Sequence, residues 1–244
     1  MSNERLKATL VACGVSPAEV AERVQVDPKT VERWITAGLT PYRAHRWAVA
    51  KLLDVDAAYL WPDAQDDKLV QEASGAEFVA LYPNRGAVPA PLWVDLVADA
   101  REEVNLLVYA GLFWFDAYPH VVDTLIAKAD AGVRVRLLLG DPDSDAIKER
   151  GVEEGIDMAG RIRLTLNLIA PLIGHDGIEI RLHATTLYAS ILRADDVMLA
   201  NTHVYGAPAS HSPVLHLQRV PGGRLFAHYS QSYERVWDQA RRVS

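Results

Sequence analysis

Two groups of residues in this 244-residue sequence have side chains able to do chemistry on a partner. The first is Lys29, Thr30 and Arg33, which share one side of a helix if Asp27-Pro28 starts it. A guanidinium presented in this way can pair bidentately with a guanine edge, worth about 1–3 kcal/mol of base discrimination. The second is a polar row made of Tyr188, Ser190, Arg193, Asp195, Asp196, Asn201, His203 and Tyr205 beside apolar stretches. Residues two apart share a strand face, so Tyr188 and Ser190 can point together, as can Asn201, His203 and Tyr205. Such a row reads as a ligand pocket, with Tyr188, Ser190, Asp195, Asn201, His203 and Tyr205 as its candidate residues. The alternative is that Asp195-Asp196 is a hairpin turn and Asn201 a turn-capping side chain.

The first group needs a helical scaffold, and the flanking residues supply its signals. Ser16 can cap a helix with Pro17 at its first position and Glu19 as a capping-box partner, and Asp27-Pro28 repeats the start. Gln25-Val26 leaves room only for a tight turn. Val20, Ala21 and Val24 must therefore pack against Val31, Trp34 and Ile35, which turns Lys29, Thr30 and Arg33 outward. Ala37-Gly38 ends this helix, Thr40-Pro41 begins another running to about Leu53, and Asp56 caps a last one ending at Trp61-Pro62. Residues 1–62 thus read as an all-α unit of five short helices, with Cys13 as inert core on the apolar face of the first.

Residues 63–90 are polar and broken by Gly75, Pro83, Gly86 and Pro89, which predicts a linker with a short helix around Asp67 to Ala73. Residues 91–244 alternate between periods. Helices are expected over 91–102, 118–131, 158–172 and 225–240, and strands over 104–110, 133–139, 178–183, 187–194, 197–203 and 214–220. The first two strands flank a helix and should run parallel, making an α/β domain with a mixed sheet. Asp141 and Asp143 follow the second strand, where they would cap the next helix or bind a sugar hydroxyl. Phe113-Trp114-Phe115 is expected in the core or at a dimer interface.

Composition narrows the function classes. No apolar run approaches the roughly 18 residues of a membrane span, and Met1-Ser-Asn-Glu-Arg5 lacks the apolar segment of a signal peptide, so a cytoplasmic protein is expected. A single cysteine excludes an internal disulfide and a cysteine-based zinc cluster. His183, His203, His211 and His216 with Asp195 match no ligand spacing, so neither metal nor cofactor is expected. The net charge of -7 is unevenly spread: from Arg23 to Lys51 six basic residues face two acids, a patch suited to phosphates.

The order of elements from Glu4 to Pro62, with its turn between helices two and three, resembles the lambda-repressor-like, XRE-family helix-turn-helix domains of bacterial regulators. The resemblance implies that Lys29 and Arg33 read bases, and that Thr30, Tyr42, Arg43 and Arg46 contact phosphates. The stretch from Ile178 to Asn201 resembles the core of one half of the phospholipase D-like fold. In that family a strand carries His-x-Lys, an Asp after four more residues, and then Gly-Ser-x-Asn; the His is a nucleophile and the Lys and Asn steady developing charge. Aligning Asp195 places Tyr188 at the His and Ser190 at the Lys, while Ala200-Asn201 replaces Gly-Ser. A tyrosine with a pKa of about 10 is a poor phosphoryl acceptor, and serine supplies no positive charge.

Together the two resemblances imply a sequence-specific transcriptional regulator with no catalytic residues. Its partner would be a double-stranded DNA operator, and its second domain would dimerise, bind a small-molecule effector, or both. Homodimerisation follows because one such domain contacts only a half-site, and two half-sites lie about 34 Å apart. Two alternatives stay open: a DNA-targeted phosphodiesterase or nuclease using His183 or His203 in a rearranged site, and a second domain that is purely a dimerisation scaffold. The Arg-over-Lys and Ala/Val bias points to a bacterium of high GC content.

Overall fold

The computed structural model describes residues 2–62 and 64–243, and of 65–68 the backbone alone. The chain divides into two compact units, Met1–Glu72 and Ala73–Ser244. The first is helical, with α1 (Glu4–Cys13), α2 (Pro17–Val24), α3 (Pro28–Thr36), α4 (Arg43–Leu52) and α5 (Ala57–Leu60), followed by α6 (Gln65–Ala76). Ser16 and Glu19 close a reciprocal capping box on α2, and Gln25 ends that helix in the left-handed conformation. The Asp27 carboxylate accepts from the Lys29 amide at 2.8 Å and starts α3. Leu6, Leu10, Val20, Ala21, Val24, Val31, Trp34, Val49 and Leu60 form one buried cluster.

Two expectations for this unit fail. Cys13 is exposed, because it sits in the last turn of α1 with its thiol directed at the Leu53 carbonyl, 3.6 Å away. The fourth helix starts at Arg43 rather than at Thr40, since Tyr42, at ψ 151°, is the non-helical residue that precedes it.

The second unit is built on an eight-stranded mixed sheet. Its elements are β1 (Phe78–Tyr82), α7 (Ala90–Ala98), β2 (Glu103–Leu107), α8 (Leu112–Ala117), α9 (His120–Asp130), β3 (Arg134–Gly140), α10 (Asp145–Glu154), α11 (Met158–Leu168), β4 (Ile178–His183), β5 (Ala189–Ala194), β6 (Val197–Thr202), β7 (Val214–Gln218), α12 (Leu225–Gln239) and β8 (Arg241–Arg242). The strand order is β1-β7-β6-β5-β2-β3-β4-β8. β2, β3 and β4 run parallel, and the meander β5-β6-β7 continues the sheet antiparallel from β2.

Alternation sends Leu106, Leu137, Leu139, Leu192 and Leu199 to one face, packed with Trp93, Trp114 and Phe115. Leu107, Leu138, Ile191, Met198 and Ala200 go to the other, packed with Phe226, Tyr233 and Trp237 of α12. Burial on both faces explains why Val135 to Leu139 reads as a nearly unbroken apolar run.

The expected linker over 63–90 is the main correction; Asp63 itself lies outside the described residues. Residues 78–82 form the edge strand β1, paired with β7 from Phe78↔Leu217 to Tyr82↔Val214. Pro83, Gly86 and Pro89 follow that strand and do not interrupt it. α10 was not expected, and the helix expected over 158–172 ends at Leu168, with a 3-10 turn at Ala170–Leu172.

Asp195 opens the two-residue turn between β5 and β6 at φ 49°, a left-handed conformation that a short polar side chain tolerates. Its carboxylate accepts from the amides of Arg101, Glu102 and Glu103 at 2.8, 2.9 and 2.9 Å. Burial raises its pKa, but these amides outweigh burial and hold the group below the usual carboxylate range. Its stabilising effect is therefore complete above a pH of about 4 and lost as pH falls through the lower folded value. Asp195→Ala should cost about 1–3 kcal/mol in urea unfolding at neutral pH, with Asp195→Asn intermediate. Equal stability of all three proteins would show that the carboxylate ties nothing down.

Candidate functional site

On α3, Val31 and Trp34 are buried and hold one side of the helix against α2, while Lys29 and Arg33 are exposed and Thr30 is half-buried. No ion pair among the described residues uses Lys29, Arg33 or Arg43. Arg43 is exposed at the start of α4, and Tyr42 just before it is 85% exposed. Arg46 departs from its expected phosphate role. It is buried, and its guanidinium donates to the Pro41 carbonyl at 2.9 Å, so it braces the start of its own helix.

In the second unit the expected polar row separates into three places. Ser190 and His203 meet where β5 begins and just after β6 ends, with Ser190 Oγ 3.1 Å from His203 Nε2. His203 Nδ1 lies 3.1 Å from the Leu187 carbonyl, which can only accept. Nδ1 therefore carries the proton, and Nε2 accepts from the Ser190 hydroxyl. The imidazole stacks on Tyr109, with ring centres 5.4 Å apart, and the Tyr109 hydroxyl accepts from the Leu187 amide at 2.7 Å. Burial lowers the pKa of His203 to about 4, helped by the charges of Arg150 and Arg85, so the ring is neutral at physiological pH.

The other members lie elsewhere. Asp195 is five residues from Ser190 along an extended strand, about 17 Å away, and belongs to the turn described above. Asn201 is buried and donates to the carbonyls of Ser212 and Pro213, both at 3.0 Å, which ties β6 to the start of β7. Tyr188 and Tyr205 are 84% and 90% exposed, because each falls just beyond its strand, where the alternation no longer applies. Neither Asp141 nor Asp143 caps α10: Asp141 pairs with Arg241 and Asp143 with Arg163, each at 2.8 Å. Trp114 and Phe115 are core. His183 is also buried, with Nε2 3.1 Å from the Val108 carbonyl. Among the described residues no group of three His, Cys, Asp or Glu is placed to hold a metal ion.

Ser190 lines a cavity of about 260 Å³ between the end of β2, the start of α11 and the loop at Pro208. Sequence reading missed its charged residues, Arg85, Glu154 and Arg161. Arg85 sits in a 3-10 turn (Arg85–Ala87) inside the supposed linker, and α10 and α11 bring the other two from about 70 residues downstream. No local spacing signals such a grouping. Behind the cavity Arg150 pairs with Glu153 and Glu154, both at 2.6 Å, and Glu153 accepts from the Gly206 amide, fixing the loop after β6.

His203 generates a pH prediction. Its folded pKa lies below the unfolded value of about 6.5, so the folded state resists protonation. The stabilising effect is full above that value and is lost as pH falls toward about 4. Urea unfolding near pH 7.5 and near pH 4.5 should show wild type losing on the order of 2 kcal/mol more than His203→Gln. Parallel losses would mean that the imidazole protonates freely in the folded protein.

No family model and no curated protein matches this chain. Among solved structures, the chain is similar to TrmBL2, an archaeal chromatin protein described as showing a novel mode of DNA binding. That match has 15% identity and a TM-score of 0.47, and covers 99% of this chain and 93% of that one. The chain is also similar to Nuc, a phospholipase D family member from Salmonella typhimurium. Here identity is 16% and the TM-score 0.39, over 63% of this chain and 89% of that one.

Proposed function

We propose that this chain is a sequence-specific DNA-binding transcriptional regulator of the XRE type that acts as a homodimer on a double-stranded operator. Its second unit is a catalytically silent, effector-binding or dimerising domain. The observation that carries this reading is α3. One side of the helix is locked by Val31 and Trp34, and the other presents Lys29 and Arg33 to solvent without an internal counter-ion among the described residues. Such a helix can enter a major groove with its N-terminal residues against base edges, while exposed Tyr42 and Arg43 are available to the flanking phosphates. The bases would be read by Lys29 and Arg33, with Thr30 turned to the backbone. Arg46 is left out of the interface, since its guanidinium is already used within the fold.

The test is binding of the purified protein to fragments of its own upstream region across a salt series. Arg33→Ala should lose about 10- to 100-fold in preference for the specific fragment, in line with one bidentate base contact. Arg43→Ala should weaken binding to all fragments alike and reduce the salt slope by about one. Wild-type protein that binds every duplex equally, or none, would remove the reading.

A further inference from the structure

We infer that the cavity beside Ser190 is a binding site for a small organic anion, a phosphate monoester or a carboxylate on a compact apolar body, held by Arg85 and Arg161. This deepens the sensing half of the proposed function and rests on it, but the site itself is argued from charge and shape. Arg85 lies half-buried with its guanidinium 3.8 Å above the Phe113 ring, and burial lowers its pKa to about 10. Neither Arg85 nor Arg161 forms an ion pair among the described residues. The acids nearby are already committed: Glu154 is held by Arg150, and Glu153 by Arg150 and the Gly206 amide. Three arginines thus face two carboxylates, and the unmatched positive charge is at the cavity. Arg85 feels Glu154 only at a distance, without direct pairing. A partly desolvated guanidinium without a direct ion-pair partner is unfavourable, and an anionic ligand relieves this.

The remaining lining sets the rest of the ligand. Ser190 donates its proton to His203, so the free lone pairs of its oxygen can accept a hydrogen bond from a ligand hydroxyl. Val108, Leu112 and Met158 add apolar surface. A volume of about 260 Å³ lies just below the usual range of ligand pockets, which limits the occupant to a small aromatic or sugar-sized anion.

The experiment is a thermal-shift and calorimetric titration of the full chain, without DNA, using phenyl phosphate, benzoate and uncharged benzyl alcohol. At least one anion should raise the melting temperature while benzyl alcohol does not, and which anion binds tighter separates phosphate from carboxylate recognition. Arg85→Gln and Arg161→Gln should each weaken the bound anion by about tenfold or more. Arg161 is exposed on α11, so Arg161→Gln decides the matter if Arg85→Gln does not fold. Three outcomes overturn the site: no stabilisation by either anion at millimolar concentration, equal stabilisation by benzyl alcohol, or unchanged anion affinity in the folded variants. Anion binding without selective DNA binding would instead remove the regulator reading, and selective DNA binding without anion binding would remove this site alone.

Discussion

The Asp195 carboxylate collects three successive backbone amides, those of Arg101, Glu102 and Glu103, and ties the β5–β6 turn to the start of β2. β5 is the strand at which the sheet changes from parallel to antiparallel, and its register against β2 runs from Val104↔Ala194 to Leu107↔Ile191. A slip of one residue would move every side chain of β5 to the opposite face. With the register pinned at the turn, Leu192 joins one apolar cluster and Ile191 the other. Ser190 arrives at the far end beside Val108 and Tyr109, where the cavity opens.

Glu103 links this clamp to a charged layer under α12. Its amide serves Asp195, while its carboxylate pairs with Arg193 and with Arg134. Next to it Arg136 binds Asn105 and reaches both carboxylate oxygens of Glu234 on α12, at 2.9 and 2.6 Å. Arg136 also lies 5.0 Å from the centre of the Tyr233 ring, and Arg181 lies 4.3 Å from that of Trp237. Burying such charges gives little net stability against an apolar alternative, but each geometry is satisfied in only one seating of the helix. α12 is thus located by directional contacts as well as by apolar burial.

Elements with a strong local signal were legible in the sequence, and elements or sites assembled from distant segments were not. The capping residues Ser16, Glu19 and Asp27 act over three residues, and α2 and α3 start where they indicate. The β4 strand matches its expected span because apolar alternation is local too. β1 falls within the stretch whose composition predicts a linker, because its pairing partner β7 is about 135 residues away and its own neighbours are proline and glycine. The resemblance gives Arg46 an outward role, yet the Pro41 carbonyl draws it inward; of the two readings of Asp195, the hairpin turn is the one that holds, and the amides that fix it lie nearly a hundred residues earlier, beyond any local signal. The pairing of Ser190 with His203 lay within the expected polar row, whereas Arg85 and Arg161 carried no sign in the sequence that they would share a cavity.

The Ser190–His203 pair has the connectivity of a nucleophile and its base, and electrostatics decide how to read it. A general base works best with a pKa near the operating pH. His203, at about 4, is far from that, because burial and the charges of Arg150 and Arg85 all disfavour the imidazolium. An imidazole that resists protonation gives little driving force for taking the serine proton. The same neutrality keeps Nε2 a fixed acceptor, which orients the Ser190 hydroxyl and leaves its lone pairs toward the cavity. Arg85, one of the charges that hold the His203 imidazole neutral, is also one of the two cations that line the cavity, so a single guanidinium acts on both.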